Sequence, residues 1–75
     1  MINLDITEEV LECIYEYNTS PNIDDIASDL CYDYITIANI VGYLRDINIV
    51  ELDDEYITPI MDYYQAILLI ESIED

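Results

Sequence analysis

Residues 23–51 of this 75-residue chain read IDDIASDLCYDYITIANIVGYLRDINIVE, and this stretch decides the fold. Its apolar residues recur every three or four positions up to residue 31 and again over residues 34–47, which is the period of an amphipathic helix. Asn48 follows, and Asn tolerates the left-handed backbone conformation that ends many helices. The stretch therefore predicts two short helices joined by a tight turn, followed by a bend into an extended segment.

A further helix is predicted on the N-terminal side, over about residues 6–18. Asp5 is expected to cap it, with Glu8 three residues on in a capping-box relation. Its apolar stripe consists of Ile6, Val10, Leu11, Ile14 and Tyr17. Asn22 is expected to cap the helix over residues 23–31, and Asp33 the helix over residues 34–47.

The C-terminal part predicts two strands and a last helix. The first strand is expected over residues 49–52, a polar turn at Asp53-Asp54-Glu55, and the returning strand over residues 56–58. Thr58 is expected to cap a helix over about residues 59–73, with Pro59 in its first position. Apolar residues occupy more than one side of this helix, which predicts a second partner surface.

The predicted order, helix, helix, helix, strand, strand, helix, in one domain over residues 1–75, resembles the winged helix-turn-helix family. The matching residues are Ile26-Ala27-Ser28-Asp29-Leu30, Asp33, Thr36-Ile37, Val41, Leu44, Asn48, Ile49-Val50-Glu51 and Tyr56-Ile57-Thr58-Pro59. The resemblance covers nearly the whole chain and implies a mainly α fold with a small two-stranded β wing. It also implies a recognition helix over residues 34–47 and pairing of two copies through the terminal helix.

The charge of the chain conflicts with the DNA binding that is common in this family. The chain has eighteen acidic residues and a single basic one, Arg45, so its net charge is −17. DNA readers need several Lys and Arg side chains to neutralise phosphates. We therefore expect no direct nucleic-acid binding by this chain alone, no binding to anionic membranes, and a basic or nucleic-acid-binding protein as partner. A halophilic source is a plainer explanation of the charge.

Two acidic rows and the predicted wing tip form a candidate surface that imitates the charge of DNA. Carboxylates four residues apart on a helix are spaced by about 6 Å. The candidate residues are Glu8, Glu12 and Glu16, then Asp25, Asp29 and Asp33, and then Asp53, Asp54 and Glu55. The alternative, that these residues only form a solvated face, stays open.

Two further surfaces are candidates for protein contact. The exposed side of the recognition helix is expected to dock a partner through Tyr34, Ile35, Ala38, Asn39 and Gly42. Alternatively, Ala38 and Gly42 make room for a neighbouring helix of the same chain. A possible dimer contact on the last helix consists of Tyr63, Tyr64, Ile67 and Leu68. Tyr is enriched at binding hot spots. Alternatively, the eight tyrosines replace the absent Phe and Trp as half-buried filler.

Catalysis has little support in the sequence. There is no His, no Gly-rich phosphate loop and no paired nucleophile and base, so we expect neither an enzyme nor a cofactor. Asp53-Asp54-Glu55 lacks the ligand spacing of a calcium loop, and no metal site is expected.

Cys13 and Cys31 are expected to be buried free thiols, with a disulfide left open. The start of the chain has no secretory signal, which favours the cytoplasm, or the host cytoplasm for a viral protein.

Three functions follow as hypotheses. The first is a small inhibitor or adaptor, of the kind that phages and other viruses encode, which targets a nucleic-acid-binding protein by DNA-like charge mimicry. The second is a dimeric transcriptional regulator that binds DNA weakly or with a partner. The third is a structural winged-helix subunit of a larger complex.

Salt should stabilise the fold. Repulsion among the carboxylates opposes compaction and is screened over about 10 Å at 0.1 M ionic strength. The midpoint of thermal unfolding, followed by circular dichroism, should therefore rise between low and high NaCl. Equal midpoints would contradict this expectation.

Overall fold

A computed structural model describes residues 4–17 and 19–74. In chain order its elements are α1 (Leu4–Glu16), α2 (Ile23–Leu30), α3 (Tyr34–Asp46), β1 (Val50–Asp53), β2 (Tyr56–Pro59) and α4 (Tyr63–Glu74). The two strands form an antiparallel sheet. The predicted fold class is confirmed: the protein is mainly helical with a two-stranded wing, in the α-α-α-β-β-α order of a winged helix-turn-helix layout.

The central element is α1, which contacts α2, α3, α4 and β2. Its side chains Val10, Leu11 and Ile14 are at most 1% exposed. The core residues contributed by the other elements and their junctions are Ile23, Ile26, Ala27, Ile37, Ile40, Val41, Leu44, Ile49, Val50, Ile57, Ala66 and Ile70. Each fully buried large aliphatic side chain contributes about 1.5–3 kcal/mol, and this burial opposes the charge repulsion.

The start of α2 follows the prediction closely. The Oδ1 atom of Asn22 accepts a hydrogen bond from the backbone N–H of Asp25 at 2.8 Å, and the backbone N–H of Asn22 donates to the Asp25 carboxylate at 3.1 Å. This reciprocal pair is a complete capping box. The helix ends at Leu30 because Cys31 takes a left-handed conformation, with φ of 60°.

Left-handed residues also shape the wing, as predicted for Asn48. Asn48 has φ of 65° at the exit from α3, and Asp54 has φ of 59° in the turn between the strands. Asp53 pairs with Tyr56, so it belongs to β1 and the turn contains only Asp54 and Glu55. The predicted three-residue turn was therefore one residue too long.

The segment before α2 holds the wing against the helices. The backbone N–H of Ile57 donates to the carbonyl of Pro21 at 2.8 Å, and Asn22 forms an isolated bridge with Tyr56. The hydroxyls of Ser20 and Thr58 lie 2.9 Å apart and are hydrogen-bonded. These contacts fix the position of β2 relative to the entrance of α2.

The predicted start of the last helix was wrong. Pro59 is the last residue of β2 and pairs with Val50, and the Thr58 hydroxyl is engaged with Ser20. The chain enters α4 at Tyr63, where the Asp62 carboxylate accepts the backbone N–H of Gln65 at 2.8 Å. An Asp followed three residues later by Gln is itself a helix-start signal, which the prediction did not use.

The predicted cap of the first helix was wrong as well. Asp5 lies in the first turn of α1, which begins at Leu4. At the other end α1 stops at Glu16, and residue 18 of the predicted range lies outside the described residues. The third helix also ends one residue early, at Asp46, with Ile47 as its C-terminal cap. Asp33 occupies the N-cap position of α3 but makes no capping hydrogen bond with its side chain.

Asp62 and Asp33 form a matched pair for testing the caps. Replacing Asp62→Ala should lower the free energy of unfolding by about 0.5–2 kcal/mol, because the N–H of Gln65 loses its acceptor. Asp62→Asn removes the same charge but keeps an acceptor and should stay close to the wild type. Asp33→Ala removes a carboxylate that makes no capping bond and should cost less than Asp62→Ala. Urea unfolding of the four proteins checks this order. Equal losses of unfolding free energy in the two Ala variants would contradict it.

Candidate functional site

An open groove of about 360 Å³ runs between α1 and α2 and is lined mainly by carboxylates. Its lining residues are Glu9, Glu12, Cys13 and Glu16 from α1, and Asp29 and Leu30 from α2. The four acidic side chains are exposed, whereas Cys13 is buried at the base of the groove. We call this set of residues the acidic groove.

The rotation of α1 sets which carboxylates reach the acidic groove. Because Val10, Leu11 and Ile14 are buried, the positions that face α2 are 9, 12, 13 and 16, at a spacing of three or four residues. The prediction instead followed a strict interval of four through Glu8, which drifts around the helix. Glu9 was therefore missed, although its distance of seven residues from Glu16 was a usable signal.

The structure brings together some of the predicted acidic residues and separates others. Glu12, Glu16 and Asp29 converge on the acidic groove. Glu8 is half-buried, and its charge acts with that of Glu12 on Tyr63 of α4. The remaining predicted residues are all exposed: Asp25 in the cap of α2, Asp33 before α3, and Asp53, Asp54 and Glu55 at the wing tip. The carboxylates thus surround the molecule on several faces and do not form two straight rows.

Tyrosine hydroxyls orient three of the carboxylates. Tyr17 donates a hydrogen bond to Asp29, and Tyr32 donates to Glu9 at 2.9 Å, so both bonds fix side chains of the acidic groove. A third bond, from Tyr34 to Glu55 at 3.3 Å, joins α3 to the wing tip. The sequence did not reveal these partners, because each bond joins residues that are distant along the chain.

These hydrogen bonds change how the phenols titrate. The bond to Asp29 raises the pKa of Tyr17 to about 12, with burial and the Asp29 charge as further causes. The bond to Glu9 is likewise the largest cause of the raised pKa of Tyr32. Both phenols therefore stay protonated, and remain hydrogen-bond donors, throughout the physiological pH range.

The thiol at the base of the acidic groove is not set up as a nucleophile. Burial raises the pKa of Cys13, and the charges of Asp29 and Glu16 raise it further, so the thiolate is disfavoured. Cys31 is exposed, which corrects the prediction that it is buried, and both cysteines are free thiols. Within residues 4–17 and 19–74, no three His, Cys, Asp or Glu side chains are grouped so that they could hold a metal ion.

The exposed face of α3 carries its large apolar side chains at the N-terminal end of the helix. Ile35 is 71% exposed and Tyr34 is 42% exposed, with Asn39 exposed beside them. Ala38 is half-buried and packs against the core, as the internal-neighbour alternative requires. A Cβ atom built on Gly42 would meet nothing within 4 Å, so Gly42 does not make room for another part of the described chain.

Arg45, at the end of α3, is already engaged within the chain. Its guanidinium lies 3.3 Å from the carboxylate of Asp46 in an exposed ion pair. The wing tip near the other end of α3 carries Asp53, Asp54 and Glu55. The surface that reads DNA in winged-helix proteins therefore has no unpaired cation here among the described residues.

On α4, two of the four predicted contact residues are freely available. Tyr64 is 80% exposed and Leu68 is 65% exposed, and they lie one helical turn apart. The ring of Tyr63 instead packs edge-on against Tyr15, with centroids 5.7 Å apart, and Ile67 packs partly against the core.

No helix within the described part of the chain is long and apolar enough to cross a membrane.

Comparison of the chain with protein-family models, with curated proteins and with solved structures finds no match. The functional interpretation therefore depends on the geometry and charge of this chain alone.

The bond between Tyr17 and Asp29 predicts a specific pH dependence. The pKa of Tyr17 is about 12 in the folded protein and about 10 in an unfolded chain, so its stabilising effect is complete below pH 10 and is lost towards pH 12. Tyr17→Phe should therefore unfold at a lower temperature than the wild type below pH 10. The difference in unfolding temperature between the variant and the wild type, which we call the gap, should close as the pH rises to about 12.

Thermal melts at a series of pH values measure this gap. Tyr64→Phe is the matched control, because the Tyr64 ring is 80% exposed, and its gap to the wild type should stay small throughout. A Tyr17→Phe gap that does not change between pH 8 and pH 12 would show that the bond to Asp29 does not stabilise the fold.

Proposed function

We propose that this chain is a non-catalytic, acidic winged-helix protein that works by protein–protein contact. In this proposal it is a small inhibitor or adaptor of the phage or virus type. Its target is a nucleic-acid-binding protein, whose DNA-binding surface it engages by presenting carboxylates in place of phosphates. The proposed location is the cytoplasm, or the host cytoplasm for a viral protein.

The observation that carries the proposal is the acidic groove. Carboxylates from two different helices line one groove, and hydrogen bonds from Tyr17 and Tyr32 hold Asp29 and Glu9 in place. Side chains held in position lose less entropy when a partner binds. Arg and Lys side chains of a DNA-binding surface match such a groove in charge, and Arg also matches carboxylates in bidentate geometry.

The distribution of charge over the whole molecule supports the same function. An ordinary soluble surface mixes acidic and basic residues. Here the only cation, Arg45, is paired with Asp46, and exposed carboxylates occur on α1, α2, the wing and α4. A strongly negative field of this kind steers a basic partner during encounter and weakens as salt rises.

A dimeric DNA-binding regulator remains the second candidate, because the α-α-α-β-β-α layout is that of DNA readers and Tyr64 and Leu68 are available for a dimer contact. Against it, the exposed face of α3 offers Ile35 and Asn39 to a DNA groove where such proteins present basic side chains. A structural subunit of a larger complex would use the same exposed faces without requiring the acidic groove.

Charge neutralisation in the acidic groove tests the proposal. The double variant Glu12→Gln, Glu16→Gln removes two carboxylates from the groove and relieves repulsion along α1, so the fold should persist. Purified protein is used as bait in a lysate of the source organism or, for a virus, of its host. DNA-binding proteins should be retained at low salt, released by duplex DNA, and retained less by the double variant.

The matched control is the double variant Glu51→Gln, Glu71→Gln, which makes the same change in net charge at exposed sites on β1 and α4. It should retain the partner almost as well as the wild type. Equal losses for the two double variants would show that only net charge matters. A partner that stays bound at high salt and ignores duplex DNA would contradict charge mimicry.

A further inference from the structure

The α3 face is a second surface, and it shares no residue with the acidic groove. We define it as Tyr34, Ile35, Ala38, Asn39 and Gly42. Ile35, at 71% exposed, is the most exposed of the large aliphatic side chains in the described structure, and Gly42 leaves open space about two turns further along the helix. A large aliphatic group this exposed, with an open helix surface beside it, is available for contact with another molecule.

Carboxylates border the α3 face at its N-terminal end. At the N-terminal end, Asp33 precedes the helix and Glu55 accepts the hydrogen bond from Tyr34 at 3.3 Å. Asp24 is an exposed carboxylate of α2, and after burial and Glu55 its charge also raises the pKa of Tyr34. At the C-terminal end lies the exposed ion pair of Arg45 and Asp46, whose opposite charges cancel, so the negative border is confined to the N-terminal end.

Charge complementarity selects the occupant of this surface. Nucleic acid and anionic membranes would be repelled by the carboxylates at the border. A second copy of the chain would bring an identical acidic border against this one, and like charges opposed in an interface cost several kcal/mol. The remaining match is a protein segment that has an apolar stripe along its middle and basic residues beside the stripe.

We infer that the α3 face binds a basic amphipathic helix of a partner protein. The aliphatic stripe of that helix lies over Ile35, Ala38 and Gly42. Its Lys and Arg side chains reach the carboxylates of Asp24, Asp33 and Glu55. The contact does not involve the acidic groove, so it can be tested independently of the function proposed above.

A designed pair of peptides tests the inference. One is a Leu/Lys peptide of about 18 residues with Leu at positions that share one helical face, long enough to fold on binding. The other has the same composition in scrambled order, so it has the same charge but no apolar face. Backbone amide shifts in NMR titrations locate each peptide, and the amphipathic one should bind about tenfold more tightly and shift Ile35, Asn39 and Gly42.

Ile35→Asp and Leu68→Asp are the matched variants, because both replace an exposed aliphatic side chain with the same carboxylate. The added negative charge attracts a cationic peptide, so weaker binding by Ile35→Asp would report the lost apolar contact alone. Ile35→Asp should abolish the preference for the amphipathic peptide, whereas Leu68→Asp should preserve it. Circular dichroism of both variants confirms the fold.

Three results would overturn the inference. The first is equal affinity for the two peptides. The second is amide shifts centred on Tyr64 and Leu68 or on the acidic groove, with the preference kept by Ile35→Asp. The third is sedimentation of the free wild type as a dimer that Ile35→Asp dissociates, which would make a second copy the occupant. Failure of charge mimicry would instead appear in the groove variants, with the peptide results unchanged.

Discussion

Burial of α1 is the constraint on which the rest of the structure depends. Val10, Leu11 and Ile14 are almost completely buried, and α1 contacts elements drawn from the whole chain: α2, α3, α4 and β2. A chain with a net charge of −17 is held together against its own repulsion, and apolar burial around this helix supplies that stabilisation. The same burial fixes the rotation of α1, and with it the side of the helix from which Glu9, Glu12 and Glu16 project.

The function proposed for the molecule follows from how the remaining residues are sorted. With the aliphatic residues inside, the surface is left with carboxylates, tyrosines and two exposed apolar faces, on α3 and α4. Hydrogen bonds from Tyr17 and Tyr32 keep two groove carboxylates from pointing freely into water. In the proposed function, a layout that reads DNA elsewhere presents surfaces that bind basic proteins. The fold does not determine the function, because the fold depends on the core and the function depends on the surface.

Local signals predicted the backbone correctly at two places where a short-range interaction decides it, whereas the equally local cap of Gln65 by Asp62 was missed. Asn22 with Asp25, and Asn48 at the end of α3, are examples in which the side chain or the left-handed conformation acts within a few residues. The entrance to α4 failed because Thr58 and Pro59 suit both a strand end and a helix start, and the contacts with Ser20 and Val50 that decide between them are distant in sequence. The acidic groove was only partly predictable for the same reason: the spacing of Glu12 and Glu16 is local, whereas their meeting with Asp29 depends on how α2 packs.

The most direct test of the account is a titration of the purified protein into a fluorescently labelled DNA duplex at low salt, followed by anisotropy. Low salt is the condition in which phosphate contacts are strongest. The account predicts no change in anisotropy, because the one cation, Arg45, is paired with Asp46 and the acidic wing tip lies beside the start of α3. Saturable binding that weakens as salt is added would contradict it and would make the protein a DNA reader despite its charge.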